Sequence, residues 1–126
     1  MTLIETTRAH VAAQELAKLD WPFRDAREIF CLVSDTREDA EFFFEQERRL
    51  VEEYAARDES GLIKTQGIHF EFAEPGRAAE YERRHRELES MQVAEPVRRR
   101  KIRAPERIRP ELLGAVYEYL DFDEGD

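Results

Sequence analysis

The chain has a single cysteine and no long apolar run. Cys31 alone cannot form an intramolecular disulfide, and no apolar stretch approaches the roughly 20 residues that cross a bilayer. The chain also opens without a charged region followed by an apolar segment, which is the pattern of an export signal. We therefore expect a protein that makes no membrane contact and works in the cytoplasm.

Motifs of catalysis and cofactor binding are missing as well. There is no Gly-rich phosphate loop, no paired CxxC and no nucleophile elbow. Cys31 lies in an apolar stretch, which favours a buried and inert thiol. The carboxylates between residues 35 and 53 give no sign of two groups in different environments, as acid–base catalysis requires. We predict that the protein is not an enzyme, with no catalytic residues and no cofactor.

One pair of residues has the spacing of a metal-ligand motif. Glu82 and His85 form E-x-x-H, which a helix projects to one side and which di-iron bundles use. Such a site needs two of these pairs and two further glutamates, whereas this sequence has one pair. We expect a histidine at a helix interface beside a carboxylate, and we predict no metal site.

Neither proline nor glycine occurs between Phe23 and Ser60. Within this stretch mostly apolar residues recur at alternating steps of four and three, the spacing of a coiled-coil seam. The seam consists of Ile29, Val33, Thr36, Ala40, Phe43, Glu47, Leu50 and Tyr54. We predict one helix of about residues 23–57, and its seam needs a partner because isolated helices are marginal in water.

A shorter helix is predicted before the long one. Residues 2–5 are expected to form a strand or an extended arm, and Thr6 or Thr7 is expected to cap a helix that ends near Leu19. The buried side of this helix would contain Val11, Leu16, Leu19 and the intervening alanines.

A β-hairpin is predicted after the long helix. Residues 62–64 and 68–72 flank a Gly-containing turn, and Ile68, Phe70 and Phe72 alternate with polar residues in the manner of a half-buried strand. We expect the two segments to pair as antiparallel strands.

Two further helices are predicted to complete the fold. A third helix of about residues 77–92 carries an apolar stripe that includes Met91, and it would fold back against the long helix. Residues 93–103 lack helical periodicity and are predicted to be extended, and Pro110 is placed to start a last short helix. The predicted fold class is mainly α: a long antiparallel helical hairpin with a small two-stranded hairpin at its turn, braced by short N- and C-terminal helices. Residues 1–120 would form one domain and residues 121–126 an acidic tail.

Charge is distributed unevenly along the chain. The formal charge is -9 at pH 7, yet residues 98–109 contain seven basic residues against the single acid Glu106. This basic run could follow a phosphate backbone, but it lacks the interleaved aromatic residues of a single-strand binder. We expect several of its arginines to pair with acidic helix faces of the same protein, and an acidic partner is the next alternative. Nucleic-acid binding is the third functional alternative.

Several short motifs follow one another along the chain. A Leu-x-x-Pro break at residues 19–22 precedes the long helix, which ends in a Leu-Val-Glu-Glu-Tyr-Ala stretch leading to Asp-Glu-Ser-Gly at residues 58–61. Phe70-Glu71-Phe72, a Glu-rich segment and Ile-x-Pro-Glu-x-Leu at residues 108–113 come later. This order resembles that of an uncharacterised family of small proteins carried by phages and prophages of Gram-positive bacteria. The resemblance implies a phage or prophage origin, and it brings with it no activity and no functional residues.

The sequence thus leads us to expect a non-catalytic, phage-encoded protein that binds a host protein, for instance as an inhibitor of a defence protein. Consecutive helical residues point about 100° apart, so one seam cannot bury all three phenylalanines at positions 42–44. The candidate partner-binding residues are Trp21, Phe42, Phe44, Glu38, Glu41, Glu45, Arg98, Arg99, Arg100 and Lys101. The alternative is a phage virion structural, assembly or chaperone protein that self-associates through the long helix, because heptad spacing suits an internal helix pair and a homo-oligomer equally well.

Overall fold

The structure, a computed structural model, describes residues 1–95 and 97–123. Its elements are α1 (Leu3–Leu16), α2 (Phe23–Tyr54), β1 (Thr65–Gln66), β2 (His69–Phe70), α3 (Ala78–Glu89), β3 (Arg100–Arg103), α4 (Pro110–Val116) and β4 (Leu120–Asp123). A 3-10 turn, Pro75–Arg77, leads into α3. The described chain is mainly helical with two small two-stranded sheets, which confirms the predicted fold class at that level.

The first helix, α1, starts earlier than predicted because Thr2 caps it. Glu5 N donates to Thr2 Oγ1 (3.3 Å), and Thr2 N donates to Glu5 Oε1 (3.1 Å). These reciprocal bonds form a capping box. The expected strand or arm at residues 2–5 is therefore wrong, and the helix also ends three residues before Leu19.

The buried side of α1 also differs from the prediction. Leu16 is buried, but Val11 and Leu19 are exposed. Ala12 and Ala13 are buried as predicted, and further small or polar residues are buried with them: Thr6, Thr7, Ala9 and His10. Because these side chains are short, the two helices can approach closely, and α2 makes its most extensive contact with α1.

The long helix, α2, starts at the predicted residue. Every member of the predicted seam is buried except Glu47, which is half-buried. The helix ends at Tyr54 because Ala55 turns to an extended conformation and pairs with Phe72 in an isolated β-bridge. Phe43 is buried while Phe42 and Phe44 remain nearly half exposed, as expected from their directions around the helix.

Two apolar cores lie along α2. The first core contains Ala9, Ala12, Ala13, Leu16, Ile29, Leu32, Val33, Ile102, Val116, Tyr119 and Leu120. The second core contains Leu3, Phe43, Leu50, Tyr54 and Leu88. Both cores draw on α1 and α2, whereas β3, α4 and β4 contribute only to the first core and α3 only to the second.

A buried polar contact lies between the two cores. His10 Nδ1 is 2.9 Å from Thr36 Oγ1, and the Thr36 hydroxyl donates to Leu32 O at 2.8 Å. Both side chains are buried. Burial lowers the pKa of His10, because desolvation disfavours the charged imidazolium, and the nearby Arg37 charge acts in the same direction.

The β-hairpin is shifted relative to the prediction. Thr65 pairs with Phe70 and Gln66 with His69, so the loop is the dipeptide Gly67-Ile68. Gly67 has φ 63° and occupies the first turn position, where a II′ turn requires a glycine. Ile68 is almost fully exposed at this turn, so its predicted place on the half-buried strand face is wrong.

Strands β3 and β4 form a parallel pair that the sequence did not reveal. Arg100 lies opposite Leu120 and Arg103 opposite Asp123. A parallel pair needs a crossover connection, and α4 supplies it. The predicted acidic tail is therefore wrong for residues 121–123, which belong to a strand, and its remaining residues 124–126 lie outside the described part of the chain.

Candidate partner-binding site

A cleft opens between the middle of α2 and the segment that follows α3. Its volume is about 250 Å³, and we call it the acidic cleft. The residues that line it are Leu3, Glu38, Asp39, Phe42, Met91, Gln92, Val93 and Ala94. Phe42 and Met91 are nearly half exposed and provide apolar surface. Because Glu38 and Phe42 are four residues apart, they lie on the same face of α2.

The wall opposite α2 is held by main-chain hydrogen bonds to the start of the chain. Leu3 N donates to Met91 O at 2.7 Å, and Val93 N donates to Met1 O at 3.1 Å. Thr2 and Gln92 form an isolated antiparallel bridge between these two bonds. The segment after α3 is thereby held against the start of the chain, so this wall of the cleft is fixed by bonds within the chain itself.

The carboxylates at the rim of the cleft are open to a partner. Within residues 1–95 and 97–123, the side chains of Glu38 and Asp39 make no hydrogen bond and no ion pair. By contrast, Glu45 accepts from Arg48 at 2.6 Å and from Arg49 at 3.2 Å, and the hydrogen bond from Arg48 lowers the Glu45 pKa. The negative charge at the cleft is therefore uncompensated, whereas that of Glu45 is already paired.

The other candidate residues on α2 face away from the cleft. Phe44 is about 200° around the helix from Phe42, and Glu41 and Glu45 are also displaced from it by about 60° to 100°. Phe44 packs edge-to-face on Phe43, with 5.8 Å between the ring centroids. Of the predicted acidic and aromatic residues, the structure therefore brings only Glu38 and Phe42 together at the cleft.

Trp21 precedes α2, far in sequence from the residues of the cleft, and packs on the first core. Its indole Nε1 donates to Leu16 O at 2.8 Å. The side chain is half-buried and packs against the first core. This bond satisfies a carbonyl at the end of α1, so Trp21 serves the helix terminus in this structure.

Two arginines of the basic run pair with acids of the same protein. Arg100 donates to Glu28 and to Asp35 on α2, both at 2.9 Å. Arg99 donates from Nε to Asp121 at 2.6 Å. Arg98 and Lys101 are exposed. The expectation that arginines of this run neutralise an acidic helix face is confirmed for Arg100.

The E-x-x-H pair does not act as a unit. His85 Nε2 is 2.8 Å from Glu47 Oε2, and His85 Nδ1 is 3.5 Å from Glu89 Oε1. Glu82 is exposed. The histidine lies at a helix interface beside a carboxylate, as expected, but the carboxylate comes from α2. Within the described residues, no group of three or more His, Cys, Asp or Glu side chains is arranged to hold a metal ion.

A polar cluster around Tyr54 joins α2 to α3 at the far end of the second core. Tyr54 OH donates to Glu80 at 2.6 Å, and Arg84 donates to the same hydroxyl at 3.1 Å. The Arg77 guanidinium lies 4.5 Å above the Tyr54 ring. Hydrogen bonds from Arg77 and Tyr54 lower the pKa of Glu80 to about 2. This cluster holds α3 against α2, and none of its residues lines the acidic cleft.

The sequence did not identify three apolar residues of the cleft. Leu3 was placed in an extended arm, and Met91 was placed on the buried stripe of the third helix, although it lies beyond the end of α3 and is exposed. The Thr2-x-x-Glu5 pattern was a usable signal for the correct start of α1. Val93 became part of the cleft through its bond to Met1, which no local pattern encodes.

Comparison with family models, with curated proteins and with solved structures found no match to this chain. The resemblance to the phage family therefore stays a prediction. Among the described residues, no helix has both the length and the apolar character needed to cross a membrane.

Proposed function

We propose that this protein is a non-catalytic protein-binding protein and that the acidic cleft is its contact surface. The observation that carries this proposal is the pairing of exposed Phe42 and Met91 with the two open carboxylates Glu38 and Asp39. Apolar anchors surrounded by charge are typical of protein interfaces. The complementary partner presents a large apolar side chain next to lysine or arginine.

The size of the cleft also favours a protein ligand. Its volume of about 250 Å³ is below the roughly 300–1,000 Å³ of small-molecule sites. One or two protruding side chains of a partner would fill it. We infer further that α2 and α3 form an antiparallel helical hairpin that carries the cleft, since Glu47 contacts His85 while Tyr54 contacts Glu80.

The resemblance described above gives this proposal its biological setting. A phage or prophage protein of this kind would bind a host protein in the cytoplasm of an infected or lysogenic bacterium, and inhibition of that protein would be the consequence. Nucleic-acid binding through residues 98–109 is less favoured, because Arg99 and Arg100 are paired with acids of the same chain.

The test is a tagged pull-down from nuclease-treated lysate of a Gram-positive bacterium, with mass spectrometry of the proteins retained at moderate salt. Wild type should retain one dominant protein at a fixed ratio. Phe42→Ser and the double variant Glu38→Lys/Asp39→Lys should lose it, because they remove the apolar anchor and reverse the rim charge. Leu62→Ser, an exposed substitution away from the cleft, should retain it. Equal capture by all four proteins would exclude the acidic cleft as the contact surface.

A second candidate is a virion structural, assembly or chaperone protein that self-associates through α2. The favouring observation is a row of exposed phenylalanines on α2 outside the cleft, at positions 23, 30 and 44. Recovery of only the tagged protein, or of phage structural proteins, would place this candidate first.

A further inference from the structure

A second regular row of residues lies on α2 about 100° around the helix from the buried seam. The row follows alternating steps of four and three, so it keeps to one side of the helix. Its members are Phe23, Arg27, Phe30, Ser34, Arg37, Glu41, Phe44, Arg48 and Val51. We call this row the outer face. Five members of the row are seven residues apart: Phe23, Phe30, Arg37, Phe44 and Val51. Four of these five are apolar, and Arg37 in the middle is the exception.

The aromatic surface on the outer face is large for a protein of this size. Phe23, Phe30 and Phe44 are 83%, 66% and 46% exposed. With about 200 Å² for each side chain, the three rings leave about 400 Å² of apolar surface in water. A pair of such faces holds about 800 Å² from the rings alone, and stable interfaces bury about 1,000 Å² or more. The flanking side chains would supply the remainder.

The charge on the outer face and its margins changes sign at the middle. Up to position 37 the exposed basic residues are Arg24, Arg27 and Arg37, and the acids Glu28 and Asp35 are both bound to Arg100. Beyond position 37 the acids outnumber the basic residues. This half carries Glu41, Glu45 and Glu52 against Arg48 and Arg49, and these two arginines pair with Glu45 and Glu52 within the helix. One half of the face is therefore complementary in charge to the other half.

We propose that the outer face is an interface between two copies of this chain, in which the two α2 helices pack antiparallel about Arg37. Antiparallel packing brings the basic half of each copy onto the acidic half of the other. It also places Phe23 opposite Val51 and Phe30 opposite Phe44. Each Arg37 would lie within one helical turn of the other copy's Glu41. A parallel pair would instead set like charges against each other along the whole face.

This interface does not depend on the acidic cleft. Phe42 lies about 120° around the helix from Phe30, so a dimer leaves the cleft open. The two proposals can therefore fail separately. Substitution of Phe42 tests the cleft and should leave the dimer unchanged, whereas substitution of Phe30 tests the dimer.

The first experiment is sedimentation equilibrium of the full chain over a wide concentration range. Wild type and Phe42→Ser should dimerise with the same dissociation constant. Phe30→Glu should weaken the dimer roughly 30-fold or more, as expected for an aromatic anchor. Arg37→Glu should also weaken it, and Arg37→Glu/Glu41→Arg should restore it because the two charges are exchanged. Circular dichroism confirms that each variant keeps its helix content.

The second experiment tests the antiparallel arrangement in a Cys31→Ser background. Arg37→Cys lies at the two-fold axis and should form an interchain disulfide under mild oxidation. Phe23→Cys should not, because its two copies would be about 42 Å apart along the helices. Disulfides at both positions would indicate a parallel pair and overturn the proposal. A wild-type chain that stays monomeric at the highest concentration reached would overturn it as well.

Discussion

Arg100 is expected to fasten β3 to α2, and its removal gives a direct test of how this small parallel sheet is held. Two of its guanidinium nitrogens bind Glu28 and Asp35, which lie seven residues, or about two helical turns, apart on α2. The Arg100 side chain is only 14% exposed, while those of Glu28 and Asp35 are 31% and 39% exposed. The Nε atom of Arg100 is buried without a hydrogen-bond partner. Arg100 thus makes two charge-assisted hydrogen bonds, while its buried Nε–H group has no acceptor among the described residues, which is unfavourable.

The expected destabilisation by Arg100→Ala follows from these contacts. Hydrogen bonds to charged groups contribute about 1.5–3 kcal/mol each when buried, and the exposure of both acids reduces this through solvent screening. We expect Arg100→Ala to lower the free energy of unfolding by about 1–3 kcal/mol. Arg100→Met keeps the apolar stem and removes the unpaired Nε, so its cost should be smaller, at about 0.5–1.5 kcal/mol.

The assay is urea unfolding followed by circular dichroism, at one fixed protein concentration for every variant. Arg99→Ala is the matched control, since Arg99 is the neighbouring arginine and its ion pair with Asp121 is exposed. The Arg99 variant should unfold at the wild-type urea concentration. If Arg100→Ala were as stable as Arg99→Ala, or if Arg100→Met were the less stable of the two Arg100 variants, the reasoning would be refuted.

Three further predictions concern the core, the N-terminal cap and the buried histidine. Leu32→Ala removes a fully buried side chain from the first core and should cost about 2–5 kcal/mol, whereas the exposed Ser34→Ala on the same helix should change the urea midpoint little. Thr2→Ala should cost about 1 kcal/mol and increase amide exchange in the first turn of α1, because Glu5 N loses its acceptor; unchanged exchange would contradict the capping box. His10 has a lowered pKa in the folded state, so the unfolded chain binds more protons as pH falls below about 6.5. The stability of wild type relative to His10→Gln should therefore be constant above pH 6.5 and decrease below it, by at most about 1.4 kcal/mol per pH unit, and a difference that stays constant down to pH 5 would rule this out.

The helical state of α2 and its buried side were predictable because the apolar seam pattern in the sequence is long and uninterrupted. A seam of eight positions with no proline or glycine fixes the helix and its buried side, and Ile29 to Tyr54 followed it. The start of α1 was also encoded, by Thr2 and Glu5, but a cap pattern of four residues is easily missed beside competing threonines. Short signals of this kind decide element ends. Those ends differed from the prediction at α1, at α3 and at the end of α2, which was predicted near residue 57 and lies at Tyr54.

The parallel sheet could not be predicted from local pattern. Leu120–Asp123 has only four residues, too few for its alternation to stand out from an acidic terminus. Its partner β3 lies about 20 positions away, and pairing between distant segments depends on tertiary packing rather than on propensity. The acidic cleft was half predictable for the same reason. Glu38 and Phe42 share one helix face, but the opposite wall depends on bonds between residues 91–93 and the first three residues.

The division of the interior into two cores has a consequence for how the protein opens. Elements that serve only one core can detach while the other core stays packed, so local unfolding should occur in separate cooperative units. The unit formed by α3 and the β1–β2 hairpin rests on the second core, and the segment that follows α3 forms one wall of the acidic cleft. Opening of that unit would dismantle the cleft and leave β3, α4 and β4 in place. The acidic cleft would thus open and form again many times for each event of global unfolding.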